Sequence, residues 1–516
     1  MTPHKLMRLS AVLALLIGGT LSPPAGATTL RVAAGGLPPS LGNPFTAQAL
    51  PATELWISIF DGLTRLDWRG GPQPGLATSW SNPTPTTWRF VIRDNVSFHN
   101  GRTLTASTVA DVFDILLGES GQRYLVTREL ENIAGTVALD SSTIEVTLRE
   151  PDAILPNRLS TMMIVDPQVW VEDGVDAFTI SPVGTGPYRL AKWGPGNTSA
   201  TLTAFTGSWR TISTFDTIEY LAVQDKTSRL QALFGDSADI VTGLSQEDVS
   251  SLEANGYAAH VTPTTQIKSI ALPNVRDGDH PLKDERVRRA LNLAVDKDAI
   301  ANVILGGRVN VASQGAVEGI AGFNPDLEPY PYDPARARAL LAEAGYAGGF
   351  KLDIEFTAAL TPLDVVVFQK VAQDLNSVGV DTSVRMIPFA DYIRKYSNND
   401  WGNVDAFGLL WNVASFQDAI RPFEYFSCLR VNPFFCDEGV AADVSAVRTM
   451  PDPLQRAAKM RDIMARLHAL APAIWLTNSA YVTGARQEIQ NFDMIPTGIV
   501  FEGLTLADER RDPRSQ

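Results

Sequence analysis

The side chains that most often do chemistry are sparse in this chain and badly spaced for it. Past the first few residues the histidines are His99, His260, His280 and His468. They are scattered, with no pair four apart and no H-E-x-x-H, so no zinc or nickel site built from imidazoles is expected. Each lone histidine reads as a surface or hydrogen-bonded core residue. No G-x-S-x-G elbow occurs. Gly194-Pro-Gly196-Asn-Thr lacks the lysine that a phosphate loop must offer. Gly184-Thr-Gly186 runs into Pro187-Tyr188 where a dinucleotide fingerprint would start its helix. The two cysteines, Cys428 and Cys436, flank an Asn432-Pro433 turn. In an oxidising compartment they are expected to close a small disulfide loop, since no histidine lies near enough to suggest zinc. A triad need not be close in sequence, so a secreted hydrolase stays open, but no motif supports one. No catalytic residue, cofactor or protein-held metal is expected.

The elements that would have to position a site are those of an α/β protein. Thr29–Ala33, Trp88–Arg93, Thr143–Leu148 and Lys351–Phe356 carry the alternating or apolar runs of strands. Helices are expected over three stretches. One starts at Asp333-Pro334 and stops at Gly345, one spans Pro362 to Val378, and one runs from about Leu454 to Leu470. Thr105 should cap a helix after the Phe98–Arg102 turn, and Asp284-Glu285 should open another. After Asp296-Lys-Asp298 a restarted helix is expected, with Asp298 as its cap and Ile300, Val303 and Ile304 facing inward.

The N-terminus adds an address. Lys5 and Arg8 precede an apolar run from Leu9 to Leu21, then Ser22-Pro23-Pro24 and Ala25-Gly26-Ala27. That order is a secretory signal, expected to be cut after Ala27, and the run is too short to span a bilayer. No cysteine follows the cut, so no lipid anchor is expected, and a periplasm is the natural destination. The formal charge of the 516 residues is −14, and loss of Lys5 and Arg8 takes it to −16. So acidic a surface repels phosphate backbones, and no nucleic-acid partner is expected. With 45% hydrophobic and 19% charged residues, the chain has enough material for two or three domains.

A series of segments, in order, resembles one family. They are Leu63-Thr-Arg-Leu-Asp67 with Pro74–Trp80, Trp88–Gly101, Val183-Gly-Thr-Gly-Pro-Tyr-Arg-Leu190, Pro281–Asp296 and Tyr332–Leu341. Together they resemble the extracellular solute-binding proteins of family 5, the peptide, nickel and opine binders of ABC importers. The resemblance implies a two-lobed α/β fold of the type II periplasmic binding class. An extra domain is inserted, and the ligand cleft lies between lobes joined by two crossing strands. It implies a signal peptide at 1–27 and a discontinuous first lobe at 28–58, 181–266 and 482–516. The inserted domain would be 59–180 and the second lobe 267–481. Gln266–Asn274 and Ala480–Gly484 would carry the crossings. A monomer would close on a small-molecule or peptide-like ligand and deliver it to permease subunits in the inner membrane.

By the same resemblance Trp411 and Asn412, in Gly408–Asp418, would line the second-lobe wall, Trp411 by stacking. Asn43 and Phe45, after the first strand, would contact the ligand from the first lobe. The family's peptide binders carry an aspartate for the peptide ammonium three positions after that tryptophan, where this chain has Ala414. The stretch Thr357–Pro362 also lacks the arginine that takes a dipeptide's carboxylate. Asp418 and Arg421 are the candidate shifted anchors. An ordinary dipeptide is therefore not the expected ligand. An opine, a sugar, a modified peptide or a nickel-type metal chelate whose metal is held by the chelator all remain open. A chaperone or sensor partner using the same cleft is the remaining alternative.

Overall fold

A computed structural model describes residues 28–507 apart from 48–49, 51, 68–70, 213, 276–277, 358–362, 414–415, 431 and 451. The signal segment, Ala414 and most of the Thr357–Pro362 stretch thus lie outside the described residues. Ten strands form one sheet: β1 (Thr29–Ala34), β2 (Tyr188–Trp193), β3 (Ser199–Ala204), β4 (Thr217–Ala222), β5 (Ile240–Leu244), β6 (Ala258–Ala271), β7 (Phe350–Phe356), β8 (Val380–Met386), β9 (Ala406–Asn412) and β10 (Ala473–Ala485). Their order across the sheet is β2-β3-β4-β1-β5-β10-β6-β9-β7-β8. β1 runs parallel to β4 and β5, and β7 runs parallel to β8 and β9.

The centre of this order explains the shape. β6 and β10 are long, antiparallel, and shared by both ends of the sheet. The first part of β6 and the last part of β10 face each other from Ala258↔Ala485 to Pro263↔Ala480, where β10 also pairs with β5. The register then breaks between Pro263 and Ile267, and the remainder of β6 pairs with β9, from Gln266↔Asn412 to Ala271↔Phe407. Pro263 cannot donate a ladder hydrogen bond, which suits it to the break. Two α/β halves are thereby joined by two strands, and the apolar clusters divide accordingly. One group draws on Leu30 to Val261 and Val482 to Leu504, the other on Ile267 to Leu476. Ile154 is the exception. It comes from the first half and is packed in the second. A separate four-stranded sheet (Ala77–Thr84, Thr87–Ile92, Ile133–Ala138, Thr143–Leu148) contributes Phe90, Ile92, Ile144, Val146 and Leu148 to the first half's core.

The helices form where the caps demand. α1 is Ala52–Ile59. α2 (Ala106–Leu117) starts on a reciprocal Thr105–Thr108 capping box. α3 (Glu285–Ala294) is capped by Asp284, α4 (Pro334–Glu343) by Asp333, and α6 (Pro453–Leu470) by Asp452. α5 begins at Asp364 and ends at Ser377. One cap differs from expectation. Asp296, not Asp298, accepts the Ala299 N–H, and the following turns are a π-helix. The wider winding rotates Val303 outward, where it is 80% exposed.

Two stability predictions follow from this packing. Cys428 and Cys436 are bonded, their Cα atoms 4.5 Å apart. The loop holds Phe434 against Tyr425 at 5.0 Å and Phe426 at 5.8 Å, and Asn274 clamps the Cys436 backbone N–H and carbonyl at 2.8 and 2.7 Å. Replacing both cysteines by serine is expected to cost about 2–3 kcal/mol in urea unfolding, from the entropy of so short a loop. Lys297 is 3% exposed. Among the described residues its Nζ has Asn292 Oδ1 at 3.4 Å and the Tyr330 ring at 5.3 Å, with the Asp298 charge too weak to offset burial. Burial pulls its pKa down to about 7. The folded state therefore favours neutral lysine, while the unfolded chain takes up a proton until about pH 10. Stability should rise as pH rises from 7 towards 10. Lys297→Met should stabilise by roughly 4 kcal/mol at pH 7 and below, the gain fading by about pH 10. Melting curves at pH 6, 8 and 10 check this.

Candidate functional site

A cavity of about 90 Å³ of free space lies in the first half, where both connecting strands pass it. Gln266 of β6 and Tyr481 of β10 reach it, with Ile57 and Phe60 of the α1 region, Ser160 and Thr161, and Thr497. Its charged wall is Asp61, Arg65 and Arg210. Asp61 sits in a two-residue strand paired with Met163-Ile164, immediately after α1. Arg65 follows one short strand later and projects back, its Nη2 2.9 Å from Asp61 Oδ1. Arg210 arrives from the segment after β3, with Nε 3.4 Å from Asp61 Oδ1, Nη1 2.8 Å from Glu502 Oε1, and Nη2 donating to the Ile57 carbonyl at 2.6 Å. Trp209 Nε1 and Thr185 Oγ1 both donate to Asp61 Oδ2, at 2.9 and 2.8 Å.

The electrostatics follow from that geometry. Burial pushes the Asp61 pKa up, but Arg210 and Arg65 beside it, with the Trp209 and Thr185 hydrogen bonds, hold it below the usual carboxylate range. Asp61 is thus a committed anion. Arg65 packs its guanidinium 5.2 Å from the Trp209 ring and gives only one of its five N–H groups to Asp61 among the bonds formed. It is the side chain on this wall best able to meet a ligand carboxylate. Burial raises the Tyr481 phenol to about 12, so it offers a hydroxyl, not an anion, at neutral pH.

The six residues expected to touch ligand fall elsewhere. Trp411 lies in the second-half core, 1% exposed, stacked on Phe426 at 3.9 Å and edge-on to Trp475 at 4.5 Å. Gly315 packs so tightly on the indole that a Cβ there would lie 2.4 Å from Cε2. Asn412 is placed only by its backbone, which pairs with the cavity residue Gln266. Asp418 is not a spare anchor, because Arg456 holds it with two hydrogen bonds, at 2.7 and 3.1 Å. Arg421 lies 3.7 Å from Glu129 and over the Phe416 ring at 5.6 Å. Asn43 Oδ1 accepts the Phe45 N–H at 3.1 Å, a local turn, and Phe45 packs on Trp170 and Tyr124 inside the first half. The sequence reading thus missed Asp61, Arg65 and Arg210. Its available signal was a pair of opposite charges four apart in the otherwise apolar run Phe60–Leu66, which only burial could justify.

The halves also meet away from the cavity. Asn157 Nδ2 donates to the Phe416 carbonyl at 2.8 Å, and the Ala153 N–H donates to the Arg448 carbonyl at 3.1 Å. Arg158 pairs with Asp152 at 2.7 Å and Glu129 at 3.4 Å, and lies over the Phe416 ring at 4.9 Å. These contacts bridge the two halves.

The histidines are engaged in structural contacts. His99 is half-buried, its Nε2 3.1 Å from the Gly186 carbonyl, and removal from water lowers its pKa to about 4. His260 stacks on Phe492, His468 on Tyr330, and His280 pairs with Asp405. Among the described residues no group of three or more His, Cys, Asp or Glu side chains is placed to hold a metal, and no helix is long and apolar enough to cross a membrane.

Comparison with known proteins agrees with this architecture. The chain is 25% identical to the glutathione-binding protein GsiB of Pectobacterium atrosepticum, over 82% of this chain and 83% of that one. Two solved structures share the fold, a type II periplasmic binding fold. One is NikA from Brucella suis in complex with Fe(III)-EDTA (TM-score 0.79, 21% identity, 93% of this chain and 99% of that one). The other is DppA from Helicobacter pylori in complex with the peptide STSA (TM-score 0.75, 20% identity, 93% and 98%). The model of bacterial extracellular solute-binding proteins, family 5, middle region, matches residues 71–432. With two halves joined by β6 and β10, and with the family model matched over most of its length, this chain belongs to the family 5 bacterial extracellular solute-binding proteins.

Proposed function

We propose that this chain is the periplasmic solute-binding component of an ABC importer. Exported by its cleaved 1–27 signal, it captures a peptide-like or other small polar organic solute that carries a carboxylate, and hands it to the permease subunits of the inner membrane. It works as a monomer, without chemistry on the solute. The domain division that goes with this reading is a first lobe at 28–58, 181–266 and 482–516, an inserted domain at 59–180, and a second lobe at 267–481. The observation that carries the proposal is the cavity bounded by both connecting strands, with Arg65 at its wall. A solute there touches the first half and the connecting strands β6 and β10 themselves, so binding acts on the segments about which the halves move. The glutathione-binding relative favours a peptide-like ligand with more than one carboxylate.

The Fe(III)-EDTA complex of the Brucella protein favours a second reading, a polyanionic metal chelate. Arg65 would suit the chelator's carboxylates, and the chelator would supply the metal's ligands. One experiment tests both. The mature protein is purified without denaturation, its bound solutes are identified by mass spectrometry, and thermal shifts are measured with glutathione, tri-alanine and Ni(II)-histidine. A ligand at 100 times its Kd should stabilise by about 2.7 kcal/mol. Arg65→Ala should remove most of the shift. A shift that survives Arg65→Ala intact would move the ligand out of this cavity.

A further inference from the structure

A second space lies where the two halves face each other. It is a cavity of about 330 Å³ of free space, walled by Glu129, Asp152 and Arg158 of the first half and by Glu424, Arg430 and Arg448 of the second. On the first side Glu129 ends the short turn Leu125–Glu129, and Arg158 stands in the helix Leu155–Leu159. On the second side Arg421 and Glu424 share the helix Ile420–Tyr425, and Arg448 ends the helix Glu438–Arg448. Arg430 stands on the loop closed by Cys428 and Cys436.

The charges on the two sides are matched. Arg421 Nη2 lies 3.7 Å from Glu129 Oε1, while Glu129 Oε2 takes Arg158 at 3.4 Å. Arg158 and Arg421 approach the Phe416 ring at 4.9 and 5.6 Å, one from each half. Burial opposes the charge on Arg158, yet Asp152, Glu424 and Glu129 hold its pKa above the ordinary arginine value, and Glu424 belongs to the opposite half. Burial opposes the charge on Arg456 as well, which is sustained by Asp418 of its own half and by Asp152 of the other. Three pairs of opposite sign therefore face each other: Glu129 with Arg421, Glu424 with Arg158, and Asp152 with Arg456. The like-charge opposition of Arg158 to Arg421 and Arg456 is weaker. Glu129 and Glu424 keep 11% of their side-chain surface exposed and Arg421 keeps 24%, so the seam is neither sealed from solvent nor free in it. Space of this size between charged walls admits water and ions.

A pair this wet is weak alone and is screened by salt. Several in one seam act together, because parting the halves separates them all at once. The apolar contact beside them, Ile154 in the second half's cluster, is not screened. Resting on the solute-binding reading above, in which the halves move, we propose that this seam is an electrostatic latch. Glu129, Asp152 and Arg158 on one side and Arg421, Glu424 and Arg456 on the other draw the ligand-free protein closed at low ionic strength and release it at high. The latch is separate from the Asp61 cavity, whose charges all belong to the first half. A solute is retained by the closed form, so ionic strength sets its apparent affinity even when the solute is uncharged.

The test is small-angle scattering of the ligand-free mature protein from about 0.01 to about 1 M NaCl, across which the screening length falls from about 30 to about 3 Å. The radius of gyration should rise over that range. Glu129→Gln and Arg421→Met should each start higher at low salt and rise less. The double variant should do no more than either single one, because both break the same contact. Glu343→Gln, which removes an exposed pair lying wholly within the second half, should leave the salt response unchanged. Far-ultraviolet circular dichroism and urea midpoints check that each variant folds, and Glu129→Gln decides alone if Arg421→Met does not. A salt response that both variants leave intact belongs to other charges and overturns the latch. If salt changes nothing while glutathione, tri-alanine or Ni(II)-histidine lowers the radius, the latch falls and the solute-binding reading stands. If neither salt nor any of these probes changes it, both fall.

Discussion

Replacing Arg210 by methionine is expected to cost about 3–5 kcal/mol of stability and to abolish solute binding. The methionine fills most of the volume but leaves Asp61 buried with Arg65 alone, and Glu502 without its partner. The Ile57 carbonyl loses its donor as well. The cost is that of an uncompensated buried charge, which exceeds the worth of the pair itself. The double variant Asp61→Asn with Arg210→Met separates the two effects. Asparagine keeps a carbonyl oxygen for Trp209 Nε1 and Thr185 Oγ1 but carries no charge. Stability should therefore recover by most of the lost amount, while binding stays lost because the wall no longer fixes Arg65. Urea midpoints and the thermal shift with ligand report the two quantities. A cost below about 1 kcal/mol for Arg210→Met would mean that water reaches Asp61.

Ile154→Asp is expected to do the reverse, leaving folding intact and removing closure. Ile154 is 6% exposed only because it crosses from the first half into the second half's apolar cluster. A carboxylate there is buried without a partner when the halves are closed, and hydrated when they open. A penalty of about 3 kcal/mol on the closed form alone would lower apparent affinity by roughly a hundredfold. The scattering radius of gyration with saturating ligand should stay at the ligand-free value, and the urea midpoint should barely move. Asn157→Ala, which removes the hydrogen bond to the Phe416 carbonyl, should do the same more weakly. Normal affinity in Ile154→Asp would show that closure does not need this contact.

How much of this was legible beforehand varies with the range of the interaction. Caps and turns were read correctly at Thr105, Asp284 and Asp333, since each depends on residues within one turn. The Asp296–Asp298 segment was misread by two residues because both aspartates fit the local rule, and only the π-helix chooses between them. Trp411 was read as a stacking surface from its place in a family stretch. Its burial between Phe426, Trp475 and Gly315 depends on residues far away in sequence. Asp418 looked like a spare anion until Arg456, 38 residues on, was found to hold it.

While the family came from the resemblance of ordered segments, the sequence by itself determined the class of element, the ends of several helices and the poverty of catalytic motifs. These depend on composition and on periodicities that operate over a few residues. Only the tertiary structure decided which charges share the cavity wall. Asp61, Arg65 and Arg210 meet because the segment after β3 folds back onto the turn that follows α1. Whether a buried charge is satisfied is a property of its neighbours in space, and chain order does not record them.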